Sequence, residues 1–166
     1  MQEILKQEVF SEVKELLAGH GIDVAFIDDE RPWGGFFVIN PDSSQHFTQI
    51  FFPNLEINHE HEELAKSAKI LVVAPNKRLS WQFHERRNEI WKVVKGQAGV
   101  VTSETDEENE LRILEEGDII RLNKGIRHRL VGLTDWSLIA EIWEHTNVLH
   151  PSNEEDIIRV QDDFGR

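Results

Sequence analysis

The chain contains no cysteine, which excludes disulfides and thiolate metal ligands and leaves only nitrogen and oxygen donors for a bound ion. Those donors are eight histidines and many carboxylates. Long apolar runs are missing too, so no segment reaches the roughly 20 residues that a membrane helix needs. The opening MQEILKQEVF lacks the basic start, apolar stretch and small-residue cleavage site of a secretory signal, and the expectation is a cytoplasmic protein. Positive charge is scarce: 18 Lys and Arg against 31 Asp and Glu give a formal net charge of −13. Such a chain repels phosphate backbones and anionic lipid, and no local basic patch offsets it, which argues against nucleic-acid and membrane partners. A small phosphorylated ligand would need its own few arginines or lysines.

What is present is ordinary for a globular chain. The 166 residues, 39% hydrophobic and 30% charged, suit one principal core. Residues 3–18 carry Leu5, Val9, Val13 and Leu16 at helical spacing, and Gly19 and Gly21 follow as stop signals. Short strands are expected at 36–39 and 48–52, and the Glu- and His-rich stretch 54–67 reads as a helix or an exposed loop. From residue 69, strand-like runs at 70–74, 79–84, 90–94, 99–103, 111–114, 119–122, 128–131 and 136–143 alternate with turns. Many short strands of this kind predict a sandwich or barrel. The acidic stretch 104–110 reads as a solvated hairpin loop, and Ser152-Asn153-Glu154-Glu155 fits a capping box that would open a short helix. The expected organisation is an N-terminal helix and connector over 1–30, packed on a β domain over 31–166.

Chemistry concentrates in one place. Alternation on a strand puts Gln82 and His84 on one face, with Trp81 and Phe83 on the other, aimed at the N-terminal helix or a second subunit. Glu89 opens the next strand, a hairpin return away, and His128 follows the turn Asn123-Lys124-Gly125. Imidazole, carboxylate and amide oxygen together suit a divalent ion, and a barrel mouth leaves positions open for water or substrate. Arg129, the neighbour of His128, is aimed away from that point. His59-Glu60-His61 imitates a ligand pair but has no strand pattern around it.

The spacing Asn76-x5-Gln82-x-His84-x4-Glu89-x6-Gly96, followed by Gly117-x5-Asn123-x-Gly125-x2-His128-x3-Gly132, resembles the two cupin motifs. Asn76 stands for the usual Gly, Gln82 for the first His and Asn123 for the usual Pro. The Gln-x-His pair is similar to that of the type II mannose-6-phosphate isomerases, cupin domains often fused behind a mannose-1-phosphate guanylyltransferase. So are Arg31-Pro32-Trp33-Gly34, Arg78-Leu79-Ser80-Trp81-Gln82-Phe83-His84, Arg87-Asn88-Glu89-Ile90-Trp91, Glu155-Asp156-Ile157-Ile158-Arg159 and Asp163-Phe164-Gly165-Arg166. Ile90 stands where that family usually has His.

The resemblance implies a mainly β cupin (double-stranded β-helix, or jelly-roll) barrel with an N-terminal helix. It also implies metal-dependent interconversion of mannose 6-phosphate and fructose 6-phosphate, with Gln82, His84, Glu89 and His128 on one divalent ion. Zinc is the first choice; cobalt, manganese, nickel and iron are alternatives. Arg87, Arg166 and Lys69, in that order, are the candidates for orienting the substrate or its proton and for meeting its phosphate. A homodimer is the expected assembly. Another phosphorylated aldose such as a heptose phosphate, an Fe(II) oxygenase and a non-catalytic sugar-binding cupin are the competing readings.

Overall fold

Apolar residues at positions 9, 10, 13 and 17 line one side of a helix. In the structure, a computed structural model that describes residues 5–55 and 67–165, this segment forms α1 (Lys6–Gly19) and buries Val9, Phe10, Val13 and Leu17. The buried stripe is shifted from the expected one. Leu5 precedes the helix and is exposed, while Phe10 stacks on Phe37 at 5.3 Å between ring centroids and sets the helix phase.

The strands are β1 (Val24–Arg31), β2 (Gly34–Ile39), β3 (Ala68–Val73), β4 (Trp81–Phe83), β5 (Arg87–Lys95), β6 (Ala98–Ser103), β7 (Arg112–Leu114), β8 (Ile119–Leu122), β9 (Arg127–Gly132), β10 (Ser137–His145) and β11 (Ile158–Gln161). They form two sheets, ordered β1-β2-β3-β10-β5-β8 and β11-β4-β9-β6-β7, with antiparallel pairing throughout. Because β1 pairs with β2, residues 1–30 contribute a sheet strand as well as a helix, and a division at 30/31 falls inside β1. The acidic stretch 104–110 links β6 to β7 and is exposed. Among the described residues no helix is long and apolar enough to cross a membrane.

Alternation on three central strands makes two cores. Ile70, Val72, Ile90, Leu138, Ala140 and Ile142 face outward against α1 and α2 (Ser44–Phe51). Leu71, Val73, Trp91, Val93 and Ile139 face inward, with Val100 and Leu130 of the other sheet. Residues 48–52, expected as a strand, are instead helical up to Phe51. Phe47 and Phe51 sit one turn apart, rings 4.7 Å from each other, and drive both side chains into the outer core. Trp81 and Phe83 do not meet α1, which covers the other sheet. The Trp81 indole donates to the Asp106 carbonyl at 2.8 Å, and Phe83 lies under the Arg127 guanidinium, 3.9 Å from its ring centroid.

Two backbone positions explain motif residues. Asn76, in place of Gly, adopts φ 60°, a left-handed conformation that Asn tolerates better than other side chains. Gly132 ends β9 where a Cβ would lie 2.0 Å from the Ala74 carbonyl oxygen, an approach that only Gly permits. Gly132→Ala is therefore expected to cost about 3 kcal/mol or more, read as a lowered denaturation midpoint, whereas Asn76→Gly leaves stability within about 1 kcal/mol of wild type.

Candidate active site

The two sheets bring the sequence motifs together from opposite sides. Gln82 on β4 pairs with His128 on β9 in the five-stranded sheet, and the Gly125 amide donates to the His84 carbonyl at 2.8 Å, tying the second motif's turn to the first motif's strand. Glu89 comes from β5 in the six-stranded sheet, opposite Trp143 of β10. All three of His84, Glu89 and His128 are buried.

Their polar atoms converge. His84 Nε2 lies 3.0 Å from Glu89 Oε1, and His128 Nε2 lies 3.5 Å from Oε2. One ligand atom from each of the three residues falls within 4.8 Å of the others. Each imidazole has its other nitrogen occupied: His84 Nδ1 donates to the Asp156 carbonyl at 2.7 Å and His128 Nδ1 to that of Ile126 at 3.0 Å. With each Nδ1 so committed, Nε2 is the ring nitrogen that faces the common centre and, once it has no proton, the one that could ligate an ion. His128 Nε2 is buried without a hydrogen-bond partner. An orphaned imidazole nitrogen beside a carboxylate and a second imidazole is the donor set of a divalent-metal centre, and these three residues could hold one. Gln82 lines the same cavity, with its Oε1 engaged by the Ser80 hydroxyl.

Arg87 closes the cluster. Its Nε and Nη2 reach Glu89 Oε1 at 3.0 and 2.9 Å, its Nη1 donates to Ser152 Oγ and the Asn153 carbonyl, both at 3.0 Å, and its Cζ stands 3.6 Å from the Trp143 ring centroid. Burial alone would raise the Glu89 carboxyl. Electrostatic attraction to His84, the close approach of both imidazoles and the Arg87 guanidinium overcome that and hold it well below the usual carboxylate range. Ser152 does not cap a helix as expected, because its hydroxyl donates to Asp156 Oδ2 at 2.6 Å and accepts from Arg87. Asp156 in turn accepts the Glu85 and Arg86 amides, both at 2.9 Å. The segment after 155 then runs into β11, which pairs with β4.

Behind the centre lies a cavity of about 140 Å³ lined by Trp33, Phe36, Trp91, Glu141 and the cations Arg31, Lys69, Arg87 and Arg159, among others. Of the residues anticipated as substrate ligands, Lys69 is there, bonded to Glu154 at 2.6 Å, Arg87 is there but committed as described, and Arg166 lies outside the described residues, as do His59 and His61. Ile90 packs in the outer core and does not face the cavity. Arg129 also lines the cavity, with its guanidinium held by the Leu79 carbonyl at 2.9 Å, by Glu108 at 3.2 Å and by Gln161.

Sequence reasoning missed Glu141. Its signal was a single carboxylate inside the apolar run Leu138-Ile139-Ala140-Glu141-Ile142-Trp143, on the inward parity of Ile139. Its oxygens accept the indole N–H groups of Trp143 at 2.8 Å and Trp91 at 3.0 Å. Burial, and then the negative charge of Glu89, push its carboxyl from 4.5 up to about 7.

This shift sets a sign for stability. Between pH 4.5 and about 7 the folded metal-free chain holds a proton that the unfolded chain has lost, so Glu141 makes stability fall as pH rises through that window. Denaturant melts of metal-free protein are expected to lose on the order of 2 kcal/mol across it through this group. Glu141→Gln flattens that part of the slope, even though the amide leaves one indole donor poorly matched; an unchanged slope contradicts the assignment.

The mannose-6-phosphate isomerase C-terminal family matches residues 40–162. The xanthan biosynthesis protein XanB of Xanthomonas campestris pv. campestris is 29% identical over 161 residues, 96% of this chain and 28% of that protein, so this chain spans 28% of the length of the curated relatives it matches. Among solved structures, KdgF from Halomonas sp. superposes with a TM-score of 0.52 at 18% identity, over 79% of this chain and 90% of that one. The capsular polysaccharide assembling protein CapF from Staphylococcus aureus gives a TM-score of 0.51 at 14% identity, over 81% of this chain and 33% of that one. The structural likenesses bear on the fold, a cupin barrel with an added N-terminal helix. The chain belongs to the mannose-6-phosphate isomerase C-terminal family and carries a cupin domain of the type II mannose-6-phosphate isomerase kind.

Proposed function

We propose that this chain is a metal-dependent isomerase that interconverts an aldose phosphate and a ketose phosphate, with mannose 6-phosphate and fructose 6-phosphate as the pair. The observation that carries the reading is the convergence of His84, Glu89 and His128 beside a cavity lined by Glu89 and His128 of that cluster and by Arg31, Lys69 and Arg159. His84 Nε2, His128 Nε2 and the Glu89 carboxylate would hold one divalent ion, zinc first among the candidates, with Gln82 as a fourth ligand if its carbonyl exchanges Ser80 for the ion. Such an ion supplies Lewis-acid polarisation of a sugar carbonyl and stabilises negative charge on its oxygen.

The protein's own side chains supply the rest. Arg87 orients Glu89 and adds positive charge at the carbonyl end of the sugar. Lys69 and Arg31, held by Glu154 at 2.6 Å and Asp28 at 2.9 Å, would exchange those carboxylates for the substrate phosphate, together with Arg159. The aromatic wall of Trp33, Phe36 and Trp91 excludes water from the reacting carbons and offers ring faces to the sugar.

One observation favours a second reading. With Gln82 bonded to Ser80, the remaining donors are two histidines and one carboxylate, the set used by non-haem Fe(II) oxygenases. The cationic lining favours the phosphorylated sugar.

Proton NMR of mannose 6-phosphate in deuterium oxide separates the two. Wild type loaded with zinc, cobalt or manganese is expected to form fructose 6-phosphate, to stop after chelation and to recover with added metal. His84→Ala and His128→Ala are each expected to lower metal affinity by roughly 100-fold or more and conversion with it. Absence of product with every metal, or oxygen uptake that depends on iron, overturns the isomerase reading. Lys69→Ala is expected to raise KM for the sugar phosphate about tenfold with kcat little changed.

A further inference from the structure

Three carboxylates line the cavity: Glu89, Glu141 and Glu154. Glu89 is surrounded by His84, His128 and Arg87, and Glu154 is exposed and held by Lys69. Glu141 is left. It is buried on the inner face of β10, and nothing in the metal centre uses it.

Its placement is specific. Glu141 lies opposite Trp91 on β5, while Glu89, two residues earlier on β5, lies opposite Trp143 on β10. Glu141 and Glu89 are therefore diagonal neighbours on one sheet face, their strand positions roughly 7–8 Å apart by ordinary sheet geometry, and both line the cavity. The Trp143 and Trp91 indoles each donate to a different carboxylate oxygen. Two such donors fix the plane of the group and leave a lone pair on each oxygen for a proton.

We propose that Glu141 is the base that takes the C2 proton of the bound aldose phosphate and returns it to C1. The proposal rests on the isomerase reading. In the first step the C2–H bond breaks and its proton joins a Glu141 oxygen. The electron pair it leaves forms the C1=C2 bond, and the carbonyl π pair moves onto O1. In the second step C1 takes the proton back, a carbonyl forms at C2, and the proton of the C2 hydroxyl ends on O1. Atoms and electrons balance within the sugar, so no oxidant or reductant enters. Glu89 is a poor candidate for this work, since its oxygens face the imidazoles and Arg87. Burial raises the Glu141 carboxyl, the direction that proton abstraction near neutral pH calls for.

The test uses zinc-loaded wild type, Glu141→Gln and Glu141→Asp. Turnover and deuterium exchange are followed by NMR with mannose 6-phosphate in deuterium oxide, and binding by calorimetry with mannitol 6-phosphate, which lacks a carbonyl and cannot isomerise. Glu141→Gln is expected to lower both conversion and exchange about 100-fold or more, with mannitol 6-phosphate affinity within about threefold of wild type. Glu141→Asp restores a carboxylate and recovers about tenfold of that loss. Conversion by Glu141→Gln within about threefold of wild type, or a loss of mannitol 6-phosphate binding as large as the loss of conversion, overturns the base assignment and leaves the isomerase reading standing. A wild type that neither converts nor exchanges overturns the isomerase reading, and the base assignment falls with it.

Discussion

The carboxylate of Glu89 is buried in the body of the barrel, and the surrounding structure is organised by the need to compensate its charge. An isolated ion moved from water into a protein interior costs several kcal/mol even after relaxation. Here the compensation comes from both sheets and from the loop between β4 and β5: His84 on that loop, Arg87 at the head of β5 and His128 on the facing strand. Those groups would need partners of their own if left bare, and Asp156, Ser152, Asn153 and Ile126 supply them through carbonyls and a hydroxyl. The result is a polar network in which most members are satisfied and one buried nitrogen, His128 Nε2, is not. In a network otherwise so complete, that orphan sits where an ion could be held.

A polar interior of this kind needs stability from elsewhere, and the sheet's other face provides it. On β3, β5 and β10 the outward side chains include Ile, Val, Leu and Ala packed under two helices, while the inward ones include Lys69, Glu89 and Glu141. One strand parity stabilises and the other carries chemistry. Ile90 illustrates the division. The difference from the family's usual His looks like a loss of function on paper, yet the residue points into the apolar layer, away from the metal centre.

The strand pattern from residue 69 onward, the grouping of His84, Glu89 and His128 and the barrel were legible because strand alternation and motif spacing are local properties. What failed to read locally was set by tertiary partners. Residues 48–52 have strand-like composition, but Phe47 and Phe51 gain more by stacking one helical turn apart over the outer core. Ser152 has the form of a helix cap, but Asp156 and Arg87 claim its hydroxyl. Glu141 was hidden for a related reason. A lone acid in an apolar strand becomes meaningful only when two tryptophans from adjacent strands are seen to hold it.

The tie between Asp156 and the loop that follows His84 has a consequence for how the molecule is made. Asp156 grips the amides of Glu85 and Arg86 across 71 and 70 residues of chain. Closing so long a loop is a slow event, and on a ribosome it must wait until Asp156 has been synthesised. The two sheets have most of their strands by residue 145, so a growing chain can collapse around its hydrophobic layers first. His84 and Arg87 then wait for the carbonyl and hydroxyl that will align them. The alignment of His84 and Arg87 thus depends on the last turn before β11, which can reach them only after the strands up to β10 exist.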